Sequence, residues 1–125
     1  MSRIDQMDAF TRGYLEAALW SETDNDCEPL DDKFDMQDLS QECIIRADQD
    51  CCTFRRVGLG LLAEAERQGR DESHQGHDFW LTRNGHGVGF WDRGLGEVGK
   101  KLTEICHQFG EIHLMEGDDG ELNYE

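Results

Sequence analysis

From Leu39 to Ala65 the small and apolar residues return every three or four positions: Leu39, Cys43, Ala47, Cys51, Phe54, Gly58, Leu61 and Ala65. A chain with that period buries one stripe of a helix, because a strand would need strict alternation. The spacing predicts a long helix starting near Asp35 or Asp38 and running to about Gln68. Gly58 and Gly60 each cost about 1 kcal/mol relative to Ala inside a helix, so a kink or break is expected near them. An earlier helix, Asp8 to Trp20, is marked by Met7, Phe10, Tyr14 and Ala17/Ala18, with Leu15 and Leu19 widening the stripe. Between the two, Ser21 to Asp32 holds polar turn formers and the only proline, and reads as a loop.

The pattern then changes. The polar run Gly69 to Gly76 ends the long helix, and His77 to Arg83 is rich in strand formers. Asn84-Gly85 is a strong hairpin turn signal, with Val88 to Trp91 as the return strand. A third helix is expected from Leu95 to Phe109, with Val98, Leu102, Ile105 and Phe109 on one face and Gly110 as its C-terminal cap. Glu111 to Met115 and Gly120 to Tyr124 suggest a second hairpin across Asp118-Asp119-Gly120. The expected order is α-α-β-β-α-β-β: an α+β fold in which a small antiparallel sheet of two hairpins packs against about three helices.

At 125 residues the chain suits a single domain spanning 1–125, and its 37% apolar and 9% aromatic content supports a modest core. It carries 28 Asp plus Glu against 12 Lys plus Arg, a formal charge of −16. Direct binding to nucleic acid or to an anionic membrane is disfavoured, because phosphate contacts need Lys and Arg. With no apolar run of membrane-spanning length and no apolar region at the N-terminus, a soluble cytoplasmic protein is expected. The charge is concentrated: residues 21–50 hold eleven acidic and two basic side chains, residues 111–125 hold six acidic and none basic, and residues 51–110 balance. These blocks are either solvated faces or a surface offered to a basic partner, in place of DNA phosphates. On the second reading the contact residues are Glu22, Asp24, Asp26, Glu28, Asp31 and Asp32, joined by Asp35 and Asp38. The C-terminal block adds Glu116, Asp118, Asp119 and Glu121.

Catalytic and ligand-binding patterns are weak. Five cysteines without a signal region point to free thiols, and Cys43, Cys51 and Cys106 fall on or beside apolar helix faces as small hydrophobes. His74-x-x-His77 with His86 further on, and Asp78 nearby, has the donor types of a zinc site but places them in a loop and at opposite ends of a strand. No metal and no cofactor are expected. Gly85-His86-Gly87-Val88-Gly89 lacks the helix N-terminus that a phosphate loop needs. The alternating carboxylates Glu22, Asp24, Asp26 and Glu28 lack the central Gly and terminal Glu of a calcium-binding EF-hand loop. The densest cluster lies between His77 and Arg93. Asp78, Arg83, Asp92 and Arg93 are expected to form ion pairs pinning the hairpin to the third helix. In an alternative reading His77, Asp78, His86, Asp92 and Arg93 line a polar site of a small enzyme or ligand-binding domain. No Ser-His-Asp or Cys-His-Asp triad follows from the spacing.

The string from His77 to Gly94, HDFWLTRNGHGVGFWDRG, resembles the signature of a family of small tailed-bacteriophage proteins. The similarity extends to Ala18-Leu19-Trp20-Ser21, Glu28-Pro29-Leu30-Asp31, Asp50-Cys51 and Gly117-Asp118-Asp119-Gly120. The resemblance implies a phage protein acting in the bacterial cytoplasm and carries no catalytic residue with it. Combined with the charge, it suggests a non-enzymatic accessory protein. Its expected partner is a basic or nucleic-acid-binding protein of host or phage, in a counter-defence, host-takeover or DNA-mimic role.

Overall fold

A computed structural model describes residues 7–23, 27–85, 89–117 and 120–124. Helix dominates, with a small two-stranded antiparallel sheet near the C-terminal end, so the arrangement is broadly α+β. Among the described residues the α-helices are α1 (Ala9–Ser21), α2 (Gln41–Val57), α3 (Leu59–Arg67), α4 (Glu72–Arg83) and α5 (Glu97–Phe109). Three start on side-chain caps that the sequence supplies: Asp8 accepts from the Thr11 amide at 2.8 Å, Ser40 from Cys43 at 3.1 Å and Asp71 from His74 at 3.0 Å. The long predicted helix is divided at Gly58, as its two glycines suggested, and begins later than expected. Asp35 and Asp38 instead close a capping box around a 3₁₀ turn, Met36–Asp38. Leu39 after it is extended.

The first expected hairpin does not form. Residues 72–83 are α4, so the run Gly69 to Gly76 is no continuous loop and His77 to Arg83 is no strand. Phe90 and Trp91, expected in the return strand, belong to a 3₁₀ turn, Phe90–Asp92. The tip between them, residues 86–88, lies outside the described residues. The reason for the misreading is physical. Eight of the twelve α4 residues are buried, so the helix is enclosed on most sides and shows no amphipathic stripe. Asn84-Gly85 is a helix stop rather than a hairpin turn, with Gly85 at φ 72°, the left-handed conformation that ends helices.

α4 occupies the centre because two glycines let it press against α1. A Cβ on Gly76 would fall inside the Phe10 carbonyl, and one on Gly13 inside the Ser73 carbonyl. Phe79 of α4 stacks on Phe54 of α2 at 4.1 Å between ring centroids, and Tyr14 of α1 meets the Trp80 ring edge-on at 5.3 Å. α5 closes the bundle with Leu102 and Cys106 buried and ends at Gly110, which adopts φ 75° as its cap. The second expected hairpin is present: β1 (Leu114–Glu116) pairs antiparallel with β2 (Leu122–Tyr124), Met115 facing Asn123. Its turn residues Asp118 and Asp119 lie outside the described residues. Leu39 bridges Leu122 in parallel on the other side of β2, and the Ser40 amide donates to the Leu122 carbonyl at 2.9 Å. Among the described residues no helix is long and apolar enough to cross a membrane.

Gly76→Ala is therefore expected to lower unfolding stability by about 2 kcal/mol or more, as forced overpacking does. Gly60→Ala, where a Cβ meets nothing, should raise it by up to about 1 kcal/mol. Urea unfolding of the two variants measures both.

Candidate functional site: an acidic face beside a buried polar helix

The polar residues of the HDFWLTRNGHGVGFWDRG string are largely engaged inside the fold. Asp78 has no exposed surface and is held by two guanidinium groups. Arg70 approaches both its carboxylate oxygens, at 2.8 and 2.9 Å, and Arg93 one of them at 3.0 Å. Asp78 thus ties the connection before α4 to the turn after it. Trp80 donates its indole N–H to Ser21 Oγ at 2.8 Å, Thr82 Oγ1 accepts from the Phe90 amide at 3.2 Å, and Asn84 Oδ1 from the Ile112 amide at 2.9 Å.

Arg83 makes the largest set of contacts. Its guanidinium donates to Asp50 Oδ2 and Tyr14 Oη, both at 2.9 Å, and to the carbonyls of Gly110 at 2.8 Å and Phe109 at 3.0 Å. Of the expected ion pairs, Asp78 with Arg93 is present. Arg83 does reach the third helix, through the carbonyls at its C-terminal end, while its carboxylate partner is Asp50 of α2. Asp92 is exposed on its 3₁₀ turn.

The residues of the alternative polar site are consequently dispersed in role. Asp78 and Arg93 share one ion-pair cluster, Asp92 faces solvent, His86 lies outside the described residues, and His77 opens toward a different feature described below. His74 is engaged with Asp71, its Nδ1 2.7 Å from Oδ1. Among the described residues no group of three or more His, Cys, Asp or Glu is placed to hold a metal ion. Burial pushes the Cys43 thiol up to about 12 and raises Cys51 and Cys106 as well, so these three are protonated, apolar core residues. Cys27 and Cys52 are exposed.

The acidic blocks behave differently: parts of the two meet at the Leu39–Leu122 bridge and at Glu22. The Leu39–Leu122 bridge lays the middle of the first block, just after Asp38, against the C-terminal hairpin, just after Glu121. Glu22, at the start of the block, reaches β1's flank, its Oε1 3.0 Å from Nδ1 of His113. Asp31, Asp32, Asp35, Glu28, Glu116 and Glu121 are exposed, Asp38 and Glu22 half-buried. Asp24, Asp26, Asp118 and Asp119 lie outside the described residues.

Next to this face runs a groove of about 420 Å³ between α1 and the 31–36 segment. Leu19, Trp20, Phe34 and Met36 form its apolar lining, with Glu16, Asp31 and Asp35 as carboxylates and His77 at its α4 side. Trp20 is 54% exposed, and its ring lies 5.7 Å from that of His77. Burial holds the His77 imidazole below its ordinary pKa, which keeps it neutral at pH 7. Sequence reasoning did not identify this groove. Its one sequence signal was Trp20 itself, a large aromatic residue outside the apolar stripe of its own helix.

Fold and site together define a small, mostly helical α+β domain with an internally satisfied polar helix and an acidic outer face. No family model matches the chain, and no curated protein or solved structure is found to be similar.

Arg83→Met should destabilise by about 3–5 kcal/mol, because it strands the Asp50 carboxylate and the carbonyls at the end of α5. Arg55→Ala, which breaks exposed pairs with Asp8 and Glu72, should cost about 1 kcal/mol or less. Urea denaturation of the two variants checks the contrast.

Proposed function

We propose that this chain is a non-enzymatic accessory protein of a tailed phage that binds a basic, nucleic-acid-acting protein of host or phage through its acidic face. It acts in the bacterial cytoplasm, in a counter-defence or host-takeover role, with its carboxylates taking the place of DNA phosphates. The observation that carries this reading is the seam at Leu39 and Leu122, which joins two acidic blocks about eighty residues apart in sequence. Solubility alone is served equally well by dispersed charge, whereas a partner with a basic groove is met by carboxylates gathered on one side. The enclosure of Asp78 between Arg70 and Arg93 also favours binding over chemistry, since the most polar part of the signature serves the fold.

Capture from bacterial lysate on the immobilised chain tests the proposal. A basic or nucleic-acid-binding protein should be retained at low salt, released by added duplex DNA and weakened at about 0.5 M salt by screening. The combined substitution Asp31→Asn, Asp32→Asn, Glu116→Gln and Glu121→Gln should reduce retention at least about tenfold. Recovery of no such protein at either salt concentration would overturn the reading.

A further inference from the structure

The groove beside Trp20 has a chemistry more specific than negative charge. Its apolar lining is partly aromatic, through Leu19, Trp20, Phe34 and Met36. Carboxylates approach from two different stretches of chain: Glu16 from α1, Asp31 and Asp35 from the 31–36 segment. Among the described residues its lining holds no Lys or Arg. At about 420 Å³ it lies near the lower end of the roughly 300–1,000 Å³ typical of small-ligand clefts, too small for a folded element and roomy for one long side chain.

A cation with an aliphatic stem satisfies both halves of such a groove. The stem covers Phe34 and Met36, while the charged end reaches the carboxylates. Arginine fits better than lysine. Its planar guanidinium stacks on an exposed indole and pairs with carboxylates through a fixed fork of donors, whereas an ammonium is a compact and strongly hydrated point charge. Trp20 keeps 54% of its surface exposed beside its contact with His77, which leaves indole surface open for that stacking.

We propose that this groove is an arginine-binding site that takes an Arg side chain of the basic partner and fixes its register on the acidic face. The proposal rests on the reading that the face meets a basic protein, and it names the side chain that would be anchored there.

Fluorescence anisotropy with labelled oligoarginine and oligolysine peptides of equal length, at about 0.15 M salt, separates the two ideas. The wild-type chain should bind oligoarginine about two- to fivefold more tightly than oligolysine. Trp20→Ala should abolish that preference, and Trp20→Phe should keep part of it. Circular dichroism is expected to leave both variants folded, since Trp20 is largely exposed. The pair Glu116→Gln and Glu121→Gln, outside the groove, should weaken both peptides by the same factor and leave the preference intact. Equal binding of the two peptides by the wild-type chain overturns the arginine site while the broader acidic-face reading stands. So does a preference that survives Trp20→Ala, or one lost with the Glu116 and Glu121 pair. Failure of both peptides to bind overturns the two together.

Discussion

A guanidinium group buried to 3% residue exposure must find acceptors for its N–H donors, and Arg83 finds four. They come from Tyr14 on α1, Asp50 on α2 and the carbonyls of Phe109 and Gly110 at the end of α5, while Arg83 itself ends α4. The carbonyl end of a helix carries partial negative charge, so the cation complements α5 as well as Asp50. The group also lies over the rings of Phe79 and Phe109, at 5.7 and 5.5 Å from their centroids. Four helices are thereby fixed relative to one atom cluster. An alternative packing that moved any of them would leave a buried charge or a buried carbonyl unpaired, which costs several kcal/mol. The close crossing of α1 and α4 at Gly13 and Gly76 makes this geometry reachable, since a larger residue at either place would hold the helices apart.

Elements with one wet face were legible in the sequence. α1, α2, α3 and α5 each left a stripe at helical spacing, and the break at Gly58 and the cap at Gly110 were visible as glycines. The C-terminal hairpin was visible as two short runs around a glycine-containing turn. The centre of the molecule was not. From Asp78 to Arg83 every residue is buried, so neither the period of a helix nor that of a strand is written there, and the aromatic content imitated a strand. Asp71 as an N-cap, followed by Glu72, was the available local signal for a helix starting there. The partners of the polar residues were harder still to foresee, because Arg83 meets Asp50 across thirty-three positions and Tyr14 across sixty-nine.

That central helix also changes how the charge is understood. The balanced stretch between the acidic blocks spends much of its polarity internally, Asp78 on Arg70 and Arg93, Arg83 on Asp50. The acidic blocks remain largely outside and share a seam through Leu39 and Leu122. Internal polarity specifies the scaffold and external polarity specifies the surface, and the functional reading follows from that division. The groove beside Trp20 sits where the first helix meets the acidic segment, and both supply it with apolar and acidic side chains.

The joint on which the proposed function rests is the seam that lays Leu39 and Ser40 against Leu122 of the C-terminal hairpin. Its most direct measurement is amide hydrogen exchange at Ser40, read together with the methyl contacts of Leu39 and Leu122 by nuclear magnetic resonance. With the Ser40 amide bonded to the Leu122 carbonyl at 2.9 Å, it should exchange as slowly as the amides of the β1–β2 ladder, with a direct Leu39–Leu122 cross-peak. A Ser40 amide exchanging at the rate of an open loop, with no such cross-peak, would contradict the account.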